Sequence, residues 1–207
     1  MPKTQRPLTV IFQEIHQGDQ IAFNELFLLY YDRLVVFAIQ YVKQEAFAEE
    51  ITSELFVKLW LKRDRLLQVS NPEVYLYVAV KNAALNHLRS LKKHQVLTDE
   101  AEGFAMESIP DGGDLVMERK ELYNMLNRAV AALPEQRRII FKLIKEDGLR
   151  CREVARILDL STRTVESQMY KAVKTLADQL APYLGYHPQK QFSRKQVFSK
   201  LPLFIFF

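Results

Sequence analysis

The side chains with the most specific chemistry lie between positions 152 and 174. Arg163 can fork onto the two acceptors of guanine, and Glu166 can accept a hydrogen bond from cytosine N4. Hydroxyl, aromatic and cationic groups around them suit contacts with bases and phosphates, and the candidate set is Arg152, Thr162, Arg163, Thr164, Glu166, Ser167, Tyr170, Lys171 and Lys174. Further upstream, Arg137 and Arg138 add positive charge for phosphate neutralisation. This chemistry is typical of a surface that binds duplex DNA.

Two helices joined by a tight turn are predicted to position these groups. In the first helix, Val154, Ala155 and Leu158 recur with helical spacing, and Ala155 is small enough for close helix approach. Ser161 is placed as the N-cap of the second helix. Its apolar stripe consists of Val165, Met169, Ala172, Val173, Leu176 and Leu180. The pattern predicts a helix-turn-helix that reads DNA; the plainer alternative is an αα-hairpin whose polar face is only solvated.

Bulk properties narrow the class of protein and its compartment. The 207 residues carry a formal net charge of +4, and 48% of them are hydrophobic, as in a globular protein. The one cysteine, Cys151, excludes an internal disulfide and fits a reducing compartment. The N-terminus lacks the apolar core of a signal peptide, and no run approaches the roughly 18 apolar residues of a membrane helix. We therefore expect a cytoplasmic protein.

Helical periodicity runs through the N-terminal half. Residues 18–41 and 45–66 are each predicted to form a long amphipathic helix. A cap, a first-position proline and a first-turn acid at 71–73 predict the start of another helix, which runs to about Lys93. Its first half is apolar around most of its circumference, and its second half turns polar and basic. No β-type alternation occurs, so the fold class is expected to be all-α.

The chain is expected to consist of two small helical domains joined by an acidic linker. Between Lys93 and Arg119 there is no Lys or Arg, and seven acids accompany one proline and a Gly-Gly pair. The predicted segments are an N-terminal extension at 1–17, a first domain at 18–93, the linker at 94–118, a helix-turn-helix domain at 119–184 and a basic, apolar tail at 185–207. For the tail, a weakly ordered terminus, docking on the body, a partner-held segment and a membrane-surface segment remain open.

The motifs of both halves together resemble one family. Residues 48–60 carry an acidic pair, a further acid, an aromatic residue and Leu-Trp. Residues 72–77, with Asn82 and Arg89 after them, and residues 133–137 ahead of the helix-turn-helix complete the pattern. In this order and spacing, from about residue 18 to 184, the chain is similar to the bacterial extracytoplasmic-function (ECF) sigma factors. The Thr-Val-Glu opening of the second helix resembles the branch common in Bacteroidota.

The resemblance implies a sigma factor that binds core RNA polymerase and directs promoter-specific initiation of transcription. The first domain would bind the coiled coil of the β′ subunit through Glu50, Ser53 and Glu54, and the β flap would be a further contact. The first domain would also melt and read the downstream promoter element, through Tyr75, Tyr77, Lys81, Asn82, Asn86, Arg89, Lys92 and Lys93. One of the two tyrosines is expected to lie in the core. The helix-turn-helix would read the upstream element, and an anti-sigma factor, often membrane-anchored in this family, would hold the protein inactive.

The sequence departs from the family pattern at several positions. Asp159 stands at the turn position where Gly is usual, and Asp tolerates a left-handed backbone. Arg150 and Cys151 replace the usual Ser cap, so a weaker helix start is expected there. Glu50 and Ser53 stand where the family commonly has Asp and Gln, which changes the detail of the implied polymerase contact.

Two other functions remain as alternatives. A helix-turn-helix regulator that does not bind polymerase would need a ligand pocket or a receiver pattern upstream, and the sequence shows neither. A helical, metal-dependent nucleotide hydrolase could use Glu49, Glu50 and Glu54 as half of a carboxylate site. No matching acidic pair is evident, and the four histidines have no ligand spacing. No catalytic residue, metal, cofactor or small-molecule substrate is therefore predicted.

Overall fold

The computed structural model describes residues 6–95 and 117–181, with their side chains over 6–91 and 124–181. Within these ranges the regular structure consists of eight α-helices and one 3-10 helix, which confirms the expected all-α fold. The chain divides into two compact units, Met1–Ser108 and Ile109–Phe207. Most of the predicted linker at 94–118 and all of the predicted tail at 185–207 lie outside the described residues.

The first unit is a bundle of helices, and side chains cap the starts of α2 and α4. Its elements are α1, Leu8–His16; α2, Gln20–Val42; α3, Glu45–Leu61; a 3-10 helix, Arg63–Gln68; and α4, Pro72–Gln95. Asp19 caps α2 by accepting hydrogen bonds from the backbone N–H groups of Ile21 and Ala22, at 2.7 and 3.2 Å. The Asn71 side chain accepts from the Val74 N–H at 3.1 Å, so α4 begins at the predicted cap.

Residues 1–17, which the sequence sets apart as an extension, contain helix α1. Its Ile11, Phe12 and Ile15 are buried, and the helix packs against α2, the 3-10 helix and α4. The Phe12 ring meets Tyr75 of α4 edge to face, with ring centroids 6.3 Å apart. Helix α1 therefore belongs to the core of the first unit.

The helix predicted over 45–66 ends earlier than expected, at Leu61. Lys62 leaves helical geometry, at φ −108° and ψ 25°, and the 3-10 helix follows. Arg63 turns back on the preceding turn: its Nη1 donates to the Trp60 carbonyl at 3.1 Å, and its guanidinium lies 5.1 Å from the Trp60 ring centroid. Leu66 is nevertheless buried, seven residues after buried Leu59, so the apolar spacing alone gives no sign of the break.

The second unit contains four helices around a separate core. They are α5, Met117–Ala131; α6, Glu135–Lys145; α7, Cys151–Leu158; and α8, Thr162–Leu180. Pro134 separates α5 from α6 because it cannot continue the preceding helix. Arg138 Nη1 donates a hydrogen bond to the Ala131 carbonyl at 2.7 Å, so this carbonyl at the end of α5 has a partner. None of the helices in the described part of the chain is both long and apolar enough to cross a membrane.

Candidate nucleic-acid interface and acidic helix face

A capped helix-turn-helix forms where the sequence predicts it. Helix α7 ends at Asp159, whose backbone is left-handed (φ 56°, ψ 43°), and the Leu160 N–H closes the turn on the Ala155 carbonyl at 2.9 Å. Helix α8 then starts from Ser161, whose hydroxyl accepts from the Thr164 N–H at 3.0 Å. The left-handed turn residue and the serine cap are both confirmed.

The recognition helix α8 has one fully buried face and one polar face. All six residues of the predicted stripe are buried, at 0–6% exposure. Of the candidate DNA contacts, the exposed ones are Arg152, Arg163, Glu166, Lys171 and Lys174, while Thr162, Thr164, Ser167 and Tyr170 are half-buried. Four of the five exposed side chains are cationic, and within the described residues none of the five makes a hydrogen bond. The face therefore presents free positive charge and free donors, as phosphate and base contacts require.

The two upstream arginines are held by neighbours within the unit. Arg137 Nε donates to the side-chain oxygen of Gln168 on α8 at 3.0 Å, and Arg138 is engaged at the end of α5 as described above. The sequence predicts Arg137 and Arg138 as phosphate contacts and does not single out Gln168. A contact between residues 31 positions apart leaves no trace in local sequence patterns.

The start of α7 is closed by a glutamate where the usual serine is missing. Glu153 Oε2 accepts a hydrogen bond from the Arg150 backbone N–H at 2.8 Å, which is the reaching-back half of a capping box. The weaker helix start expected from Arg150 and Cys151 is thus partly offset. Burial raises the pKa of the Cys151 thiol, and the negative charge of Glu166 adds to the rise. The charge of a candidate base-reading residue therefore acts on the thiol.

The first-unit DNA candidates on α4 divide into exposed and buried residues. Asn82, Asn86 and Arg89 are exposed, with Arg89 Nη1 donating to Asn86 Oδ1 at 2.9 Å, and Tyr75 is 39% exposed. The side chains of Lys92 and Lys93 lie outside the described ones. These exposed groups lie on one side of α4, spread from its first turn to Arg89.

Two α4 candidates are corrected by their burial. Tyr77 is 0% exposed and packs edge to face on Phe37, with ring centroids 5.1 Å apart, so its ring cannot stack on a base. Lys81 is 6% exposed and has interactions within the protein, so it is not available to DNA in this structure. Because they are four residues apart, both lie on the same side of α4. Their burial shows that this side faces the bundle.

The predicted polymerase-binding residues lie together on an exposed face of α3. Glu50, Ser53 and Glu54 are all exposed. Ser53 Oγ lies 3.3 Å from the Tyr31 hydroxyl on α2, and Glu54 Oε2 pairs with Lys58 Nζ at 2.5 Å.

Two apolar residues that sequence reasoning missed extend the same face. Val57 is 57% exposed and Leu61 is 69% exposed, and they follow Ser53 at helical intervals of four residues, which was the available signal. The α3 face is therefore acidic at one end and apolar at the other.

The metal-site alternative finds no support in the described residues. Among them, no group of three or more His, Cys, Asp or Glu side chains is arranged to hold a metal ion. Glu49, Glu50 and Glu54 point to solvent on one helix, without a facing carboxylate pair in the part of the chain that the structure describes.

Comparison with known families identifies both units. Residues 26–94 match the family described as sigma-70 region 2, and residues 123–176 match the one described as sigma-70, region 4. Together the two matches cover more than half of the chain. The first contains most of α2 and all of α3, and the second contains the helix-turn-helix.

Curated relatives and solved structures agree with these matches. The chain is 27% identical over 183 residues to the ECF RNA polymerase sigma-E factor of Escherichia coli (strain K12), covering 84% of this chain and 95% of that protein. It is 25% identical over 189 residues to the RNA polymerase sigma-H factor of Pseudomonas aeruginosa, covering 87% and 97%.

Two solved structures share the fold. One is the sigma factor RpoE in complex with the anti-sigma factor NepR from Bartonella quintana, with a TM-score of 0.54 and 23% identity over 76% of this chain and 96% of that one. The other is CnrH in complex with the cytosolic domain of CnrY, with a TM-score of 0.53 and 17% identity over 84% and 97%. None of the matches named here supports the Bacteroidota-like branch that the Thr-Val-Glu opening suggested.

Proposed function

The chain belongs to the ECF group of the sigma-70 family, and we propose that its two units have different roles in promoter-specific transcription initiation. The chain is an RNA polymerase sigma factor that directs such initiation. Members of the family are regulatory, non-catalytic proteins. In our proposal, helix α3 holds core polymerase, α4 meets the opened downstream element and α8 reads the upstream element. In this proposal the protein acts in the cytoplasm, where polymerase and promoter DNA are found.

The observation that carries the proposal is the free polar face of α8 on a capped helix-turn-helix. Arg163 and Glu166 lie in the first turns of the helix, where a docked recognition helix meets base edges. Lys171 and Lys174 lie one to two turns further on and suit phosphates. Four exposed cations and one acid give this face a net positive charge, which favours binding to a polyanion.

The α4 surface supports contact with unpaired bases. Tyr75 is partly exposed and offers a ring for stacking. Asn82, Asn86 and Arg89 place amide and guanidinium groups three and four residues apart, hence on one side of the helix. Amides and cations in this arrangement can bind the edges of splayed bases and the adjoining phosphates. Lys92 and Lys93 would extend this surface by sequence.

The α3 face supports binding to a cationic helical partner, which the resemblance identifies as the β′ coiled coil. Its acids offer charge complementarity, and Val57 and Leu61 offer exposed apolar area. The Tyr31 hydroxyl of α2 lies beside Ser53 at the centre of the face. We further propose an anti-sigma factor as a partner, because two structures that share the fold are complexes with such proteins or with a cytosolic domain. The β flap and a membrane anchor on the anti-sigma factor complete the proposed partners.

In vitro transcription tests the proposal directly. Purified chain and core polymerase are incubated with a pool of random promoter sequences, and the transcribed templates are sequenced. We expect start sites that share two conserved elements at a fixed spacing. A chain that directs core polymerase to no start site above the level of core alone would overturn the proposal.

A further inference from the structure

A hydrogen bond joins helix α6 to the flank of the recognition helix. Arg137 Nε donates to Gln168 Oε1 at 3.0 Å, and both side chains are partly buried. A guanidinium has only donors, so the amide atom that faces Nε has to be the oxygen. The Gln168 NH2 group therefore points away from Arg137 as a free donor pair. Within the described residues, neither this NH2 group nor the terminal nitrogens of Arg137 have a hydrogen-bond partner.

The position of Gln168 on α8 indicates which part of the DNA these donors would contact. The middle of the polar face, opposite the buried stripe, carries Arg163, Ser167 and Lys174. Gln168 lies at the edge of that face, on a row with Thr164 and Lys171. An α-helix about 10–12 Å across fills a major groove about 12 Å wide. From its place at the edge of the helix, Gln168 consequently faces the sugar-phosphate wall of the groove.

We propose that Arg137 and Gln168 form one phosphate-binding pair, which holds a single phosphodiester of the DNA backbone beside the recognition helix. Arg137 supplies the charge through Nη1 and Nη2, and Gln168 supplies the NH2 donors. Their mutual hydrogen bond fixes both groups before DNA arrives, so less side-chain freedom is lost on binding. The pair rests on the proposed function, because it requires that α8 enters the groove of the upstream element.

A purely structural role for the same bond makes different predictions. If the bond only tied α6 to α8, Gln168→Glu would keep or strengthen it, because a carboxylate accepts from a guanidinium better than an amide does. DNA affinity would then be unchanged. If the pair binds a phosphate, Gln168→Glu places a negative charge against the backbone and removes two donors. Affinity for the upstream element then falls although the protein remains folded.

Neutral phosphate substitution provides the decisive experiment. Holoenzyme is formed with the full chain, and its affinity is measured for a promoter selected from the random pool, with methylphosphonates placed one at a time along the upstream element. For the wild-type chain, we expect several positions at which neutralisation weakens binding. At one of these positions, Arg137→Ala and Arg137→Lys should abolish or reduce the effect, because the contact is already lost or loosened. Gln168→Glu should weaken binding on the order of tenfold and act at the same position.

The salt dependence gives an independent readout of the charge. Arg137→Ala should reduce the slope of log affinity against log salt concentration by about 1. Arg156→Ala is the matched control, since Arg156 is an exposed arginine of α7 outside the candidate set, and it should leave the slope unchanged. Hydrogen exchange in α6 and α8 verifies that each variant is folded.

The outcomes separate the pair from the proposed function. The proposed pair would be overturned if Arg137→Ala left the salt-dependence slope unchanged and its effect were additive with that of every methylphosphonate. A Gln168→Glu variant with wild-type affinity would overturn it as well. If wild-type holoenzyme shows no preference for the upstream element at all, the proposed function itself fails. The pair is supported only by a position-specific loss of coupling on a promoter that the wild type recognises.

Discussion

The Ser161 hydroxyl accepts a hydrogen bond from the backbone N–H of Thr164 at 3.0 Å, and the Thr164 hydroxyl lies 2.8 Å from the same oxygen. The two side chains thus form a compact start to the recognition helix. Because Arg163 and Glu166 lie within the next turn, this cap determines where the candidate base-reading groups are held. The cap links the local stability of α8 with the reading of DNA.

Removal of the cap should loosen the recognition helix. Ser161→Ala leaves a backbone donor of the first turn without its partner, which costs about 1 kcal/mol. The chain has two units, so a global melting curve would mix their transitions. Native-state hydrogen exchange at the first amides of α8 measures the effect locally. Ser167→Ala is the control, because that hydroxyl makes no hydrogen bond within the described residues; equal exchange in both variants would show that the cap contributes nothing.

Arg163 and Glu166 should determine sequence preference at separate promoter positions. Arg163→Ala removes a fork that fits guanine, and Glu166→Ala removes an acceptor for cytosine N4, each worth about 1–3 kcal/mol of discrimination. Transcription over the random promoter pool then yields a base profile for each variant. Asp178→Ala changes an exposed acid at the far end of α8 and should retain the wild-type profile. Identical profiles for the wild type and both test variants would refute the assignment.

Loss of the acids on α3 should weaken the complex with core polymerase without affecting the helix-turn-helix. Glu50→Ala combined with Glu54→Ala removes two exposed carboxylates and leaves Lys58 without its ion pair. We expect core affinity to fall at least about fivefold, which corresponds to about 1 kcal/mol. Glu49→Ala, an exposed acid of the same helix outside the predicted contact, serves as the control. Fluorescence titration of labelled chain with core polymerase measures the affinity, and unchanged binding by the double variant would contradict the prediction.

The sequence predicts α8 well because its two faces differ sharply. The residues Val165, Met169 and Leu176 recur at helical spacing between polar neighbours, so the buried side of the helix can be read directly. The serine cap and the turn at Asp159 follow from local chemistry as well. These features depend on residues within one or two turns of each other.

The orientation of α4 could not be read in the same way. Its first half is apolar around most of the circumference, so periodicity does not identify which side faces the bundle. The resemblance implies a DNA surface that includes Tyr77 and Lys81, although their side of the helix is buried. The bond from Arg137 to Gln168 and the packing of α1 also depend on contacts distant in sequence. Such contacts follow from the tertiary arrangement and have no local signature.

Cys151 should report on the charge of Glu166 through its rate of alkylation. Burial is the larger cause of the raised thiol pKa and the Glu166 carboxylate is the smaller one. Only the thiolate reacts, so a raised pKa lowers the reactive fraction at neutral pH and slows alkylation relative to an exposed cysteine. Glu166→Gln removes the smaller cause, which lowers the pKa toward its ordinary value and raises the thiolate fraction. We therefore expect Glu166→Gln to be alkylated faster than the wild type at neutral pH.

The alkylation experiment is sharpened by its pH dependence and its control. Iodoacetamide labelling of the full chain is followed by mass spectrometry between neutral and alkaline pH, and Cys151 is the single cysteine in the sequence. The Glu166→Gln rate profile should move to lower pH, while Asp178→Asn, which removes a carboxylate near the other end of α8, should leave the profile in place. If Glu166→Gln and Asp178→Asn give the same profile as the wild type, Glu166 does not act on the thiol.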